Sequence, residues 1–121
     1  GPPPDPSTFY AARSFLDGEN ADLVDIVSLQ KVEGNWIDVP NEIVGENNEL
    51  NELLQKILNW SKENNLGDLN NAIVATVFCL SFMTKFKKEN FEMWKLIYNK
   101  GIDWLKSVNG NINWDNLIKS F

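Results

Sequence analysis

A compact all-α bundle of five to six helices is the fold this sequence predicts, and three observations predict it. Leu50, Leu53, Leu54, Ile57 and Leu58 fall at i, i+3, i+4, i+7 and i+8, the stripe of a helix lying on a core with its other face polar. Ala72 to Met83 is apolar on nearly every side, so that helix must be surrounded by others. No strand pair with a convincing turn occurs, and short connections favour antiparallel helical neighbours.

The elements follow in order. Pro2, Pro3, Pro4 and Pro6 with Ser7 predict a mobile leader over residues 1–20, to which Phe9, Tyr10, Phe15 and Leu16 add apolar surface. Gly1-Pro2 fits the remnant of a protease site, so an excised domain is expected, with the helical part over 21–121. Asn20 can cap a first helix whose inward face is Leu23, Val24, Ile26, Val27 and Leu29. Gln30 closes it, and Gly34 with Trp36 forms a turn that holds a large aromatic just outside the helix.

Pro40 opens a short helix through Val44 that Gly45 ends, and Asn47 or Asn48 caps the Leu50 to Leu58 helix. Asn64, Asn65 and Gly67 close that helix, and Asp68 starts the central one. Within it Ala72, Ala75 and Cys79 permit close helix approach, while Phe78, Phe82 and Phe86 fill the wider gaps. Phe91, Trp94, Ile97, Tyr98, Trp104, Leu105 and Val108 mark a further helix of about five turns, in which Gly101 predicts a close contact with the central helix. Asn109-Gly110 ends it, and Asn113 caps a last helix bearing Trp114, Leu117, Ile118 and Phe121 along one side.

Composition bounds the chemistry. The 121 residues suffice for one domain that buries roughly two-thirds of its unfolded surface without a metal or disulfide staple. With 43% hydrophobic residues the chain reads as globular, and no apolar run reads as long and uniform enough to span a bilayer. Cys79 is the only cysteine and no secretory signal opens the chain, so a reducing, cytoplasmic setting is expected. The net charge of −6 is split between residues 1–70, at −9, and residues 71–121, at +3. An acidic total disfavours nucleic acid and anionic membrane as partners, and Lys85, Lys87 and Lys88 read as complements to a helix dipole.

There is no histidine, which removes the commonest general base and the commonest metal ligand together. Cys79 has no base to activate it, and Asp22 with Asp25, like Glu49 with Glu52, reads as solvated charge near a helix N-terminus. No phosphate loop, dinucleotide fingerprint, zinc spacing or nucleophile elbow is present. The expectation is therefore no enzyme, no cofactor and no metal. Of the five tryptophans, Trp36, Trp94 and Trp104 are expected to anchor the core, and Trp60, at the edge of its stripe, to be partly exposed.

Four segments, read in order, carry a resemblance. LVDIVSLQKVEGNW has a leucine-rich helix, a glutamine, an acidic-glycine turn and a tryptophan, and AIVATVFCLSFM centres on Ala75-Thr76. MWKLIYNKGIDWL carries Trp94, Lys100 and Trp104-Leu105, and NWDNLIKSF carries Trp114-Asp115. These resemble the C-terminal domain of proteins built with VIT and von Willebrand A domains. Within that family they are most similar to the major-vault-protein interaction domain that ends the vault poly(ADP-ribose) polymerase. The resemblance spans about Leu23 to Phe121, and the Asn-rich loops, Asn47-Asn48, Asn64-Asn65 and Asn70-Asn71, depart from it.

It implies a non-catalytic module, monomeric when isolated, that docks a larger protein or cargo on a scaffold, most specifically the shell of the vault ribonucleoprotein particle. The terminal stripe of Trp114, Leu117, Ile118 and Phe121, with Trp60, is the expected partner-binding face; Gln30, Gly34, Trp36, Trp94 and Trp104 are expected to be structural. Two alternatives are a regulatory or adaptor domain of a von Willebrand A protein, and a carrier of a small apolar ligand in a cavity between the helices.

Overall fold

The computed structural model describes residues 20–121, so the expected leader lies outside the described residues except for Asn20. The predicted all-α bundle is observed, with six α-helices and no strand among the described residues. They are α1 (20–29), α2 (Asn41–Val44), α3 (Asn48–Asn64), α4 (Asn70–Phe86), α5 (Phe91–Val108) and α6 (Trp114–Ser120).

The caps explain the boundaries. The Asn47 side chain accepts from the Leu50 N–H and begins α3, and Asn113 does the same for α6 through the Asn116 N–H. Asn65, at φ 46°, ends α3 in the left-handed conformation that asparagine tolerates. Asp68 does not start the central helix directly, because Gly67–Leu69 forms a 3₁₀ turn ahead of Asn70. A second such turn, Lys88–Asn90, joins α4 to α5. Asn20, expected as a cap, is itself helical and 5% exposed.

Helix α4 is the axis of the molecule, packing against α3, α5 and α6, with every residue from Ile73 to Met83 buried. The connection from α3 to α4 is five residues and reaches at most about 18 Å, whereas a 17-residue helix is about 25 Å long, so packed neighbours must double back. Gly67–Phe86 is long and apolar enough to cross a membrane by length and composition, with mean hydropathy 1.3, which corrects the expectation that no such run exists. Its apolar side chains instead meet the other helices in one core with Leu23, Ile26, Leu53, Ile57, Leu105 and Ile118.

Three apolar side chains depart from their expected burial. Leu29 is 51% exposed, Phe86 38% and Phe91 50%. Phe86 and Phe91 sit at the last and first positions of α4 and α5, at the edge of the core, with Phe86 against Phe82 at 5.9 Å and Phe91 edge-on to Trp94 at 5.1 Å. Leu29 lies about 120° around α1 from Leu23 at 100° per residue, whereas Gln30 lies only about 20° away and faces inward.

Candidate functional site

The chain after α1 is held by contacts that begin with Gln30. Its Nε2 donates to the Gly34 carbonyl at 2.9 Å and to the Ile97 carbonyl of α5 at 3.0 Å, tying the 31–34 turn to that helix. Within the turn Gly34 N–H donates to Lys31 O and Lys31 N–H to Asn35 O. Gly34 lies so close to α5 that a Cβ there would stand 2.3 Å from Lys100 O. Gly101 completes the crossing: a Cβ on it would meet both Leu80 methyls at 3.0 Å and Gly34 O at 3.4 Å. Two glycines thus let a loop and two helices meet at backbone distance.

Trp36 follows, 1% exposed. Its Nε1–H donates to Ile26 O at 2.8 Å. The Gln30 N–H bonds Val27 O rather than Ile26 O, so the indole fills a carbonyl that the end of α1 leaves open. The Trp36 backbone N–H donates to Thr76 Oγ1, whose hydroxyl donates to Ala72 O, anchoring the loop on the central helix. Thr76, noted in the sequence only as part of the Ala75-Thr76 pair, had no role assigned to its hydroxyl; the available signal was a hydroxyl residue inside a mostly apolar run.

This clamp presents Ile37 and Asp38 to solvent, with Val39 half-buried and Pro40 buried behind them. A groove of about 610 Å³ runs between the end of α1, that loop and α2. Leu29, Ile37, Val39 and Ile43 form its apolar lining, with Leu29 and Ile37 each about half exposed. Asp25, Asp38 and Glu42 stand on its rim against a single cation, Lys31. Sequence reasoning missed this groove because it assigned Leu29 to the core and gave Ile37 no role.

The expected binding stripe divides. Trp114 (1% exposed) and Ile118 (0%) are core residues, so they cannot face a partner in this fold; Leu117, Phe121 and Trp60 are half-buried. Trp60 stands edge-on to Trp114 at 5.8 Å and to Phe121 at 6.1 Å, and Trp114 Nε1–H donates to Asn109 O. The stripe seals α6 onto the bundle. Trp94 is buried, with Nε1–H on Lys87 O, while Trp104 is half-buried.

A charged chain braces the same end. Tyr98 OH donates to Asp115 Oδ1 at 2.6 Å, and Lys119 Nζ to Asp115 Oδ2 at 2.8 Å. The Lys119 and Tyr98 hydrogen bonds hold the Asp115 carboxyl below the ordinary aspartate value, and burial, then the Asp115 bond and charge, push the Tyr98 phenol well above its own. A depressed carboxyl contributes its stability above the unfolded value, about pH 4, and loses it as pH falls through the folded value. A raised phenol contributes below about pH 10 and loses that contribution as pH rises. Asp115→Asn should therefore lose its stability deficit in acid, and Tyr98→Phe should flatten the decline above about pH 10; unfolding free energies across pH test both.

Lys87, expected to complement a helix dipole, follows the last residue of α4 and also pairs with Asp22 at 2.8 Å and lies 5.8 Å from the Phe82 ring. Cys79 is fully buried, and burial pushes its thiol well above the usual value. A maleimide should label the native protein only at the rate at which the bundle opens, and labelling as fast as in denaturant would contradict that burial. Among the described residues no group of three or more histidine, cysteine, aspartate or glutamate side chains is placed to hold a metal. No protein-family model, curated protein or solved structure matches this chain.

Proposed function

We propose that the chain is a non-catalytic docking module that tethers a larger protein to a protein scaffold, most specifically the vault shell, in the cytoplasm. The observation that carries this is the groove, where large apolar side chains stay half exposed beside a loop fixed by Gln30, Gly34 and Trp36. A rigid backbone lowers the ordering cost of association, and apolar surface on it supplies the drive. The four segments that resemble the vault-interaction domain supply the choice of scaffold. Trp36 and Thr76, which lie in two of them, are joined by a hydrogen bond.

Purified vault shells, sedimented with the folded chain, should carry it down in a saturable manner. Recovery no greater than that of a folded control protein of the same charge would reject the vault as the scaffold.

A further inference from the structure

We infer that the groove between α1 and α2 receives a basic amphipathic helix of a protein partner. This rests on the docking proposal and names the chemistry of what docks. The lining of Leu29, Ile37, Val39 and Ile43 calls for apolar side chains, and about 610 Å³ accommodates the few that one helix face presents. Charge selects among apolar occupants. The rim sets Asp25, Asp38 and Glu42 against Lys31, three carboxylates to one ammonium. The C-terminal end of α1 adds the negative pole of its dipole at the same edge. A lysine- or arginine-flanked helix meets these groups with opposite sign, whereas nucleic acid and anionic lipid meet them with like sign.

The half-exposed state of Leu29 and Ile37 also opposes a small-molecule carrier. Such a site encloses most of its ligand, while this groove leaves its apolar walls open to water.

Selection of a random peptide library on the folded chain tests the assignment. Enriched peptides should be net positive, with large apolar residues at i, i+3 or i+4 flanked by lysine or arginine. Binding should weaken more than tenfold on Asp25→Lys/Asp38→Lys/Glu42→Lys, and similarly on Leu29→Ser/Ile37→Ser, with thermal unfolding confirming that both variants fold. It should also weaken with added salt, as charge-guided association does. Enrichment of neutral or acidic apolar peptides that need Leu29 and Ile37 would overturn the basic partner yet leave the docking proposal standing. Peptides indifferent to both variants, or none at all, would overturn the groove as the site, and vault sedimentation would still decide the scaffold independently. Self-association abolished by the charge reversal would make the occupant a second copy and overturn the assignment as well.

Discussion

Replacing Trp36 with alanine should lower stability by about 3–5 kcal/mol, the usual cost of removing a large aromatic from a core. That is a large share of a total stability that is commonly about 5–15 kcal/mol. Two contributions add at this residue. The ring is 1% exposed, and its Nε1–H occupies the Ile26 carbonyl at the end of α1. Trp36→Phe separates them: it keeps most of the apolar contact but leaves that carbonyl without its donor, at about 1–3 kcal/mol. Chemical denaturation should rank wild type above Trp36→Phe and Trp36→Phe above Trp36→Ala. A Trp36→Ala midpoint equal to that of wild type would mean the indole does not hold α1 to the bundle.

Periodicity made α3 and α5 legible and an unbroken apolar run made α4 legible, because each packs along most of its length and its apolar pattern reports that burial directly. Asn47 and Asn113 could be read as caps because the capping bond is local. Gly101 also announced its close approach, since a glycine inside a long helix needs a reason. What escaped was tertiary. At the end of α1 the choice between Leu29 and Gln30 as the inward residue turns on helical angle and on a partner 67 residues away, Ile97 O. Residue type alone favours leucine, and the structure buries the glutamine's amide end in hydrogen bonds instead.

The candidate site was less legible than the fold. The path of residues 31–40 has no repeating period; it is set by backbone contact with α5 and by the Trp36 N–H on Thr76. The apolar walls of the groove depend on that path. The terminal stripe drew the binding assignment because apolar residues near a chain end have two uses, sealing and docking, that look alike in sequence. Burial of Trp114 and Ile118 separates them.

Gly34→Ala should be costly for a second reason that a matched control can isolate. Gly34 has φ 109° and Gly67 has φ 73°, so alanine strains the backbone at either position. At Gly67 nothing lies within 4 Å of an added Cβ, and the expected cost is the conformational strain alone, about 1–2 kcal/mol. At Gly34 the Cβ would also stand 2.3 Å from Lys100 O, a backbone atom inside α5 that cannot rotate away. The turn must then lift, breaking the Gln30 bonds to Gly34 O and Ile97 O, for a total of about 3 kcal/mol or more. Hydrogen exchange reads the same displacement locally, because the Trp36 amide is protected by Thr76 Oγ1 on α4. Under native conditions Gly34→Ala should lose that protection ahead of the Ile73 to Met83 amides, and Gly67→Ala should keep it. Equal destabilisation by the two alanines, with Trp36 still protected in both, would show that the turn can leave α5 at no cost, and the rigid support assigned to the groove would fall with it.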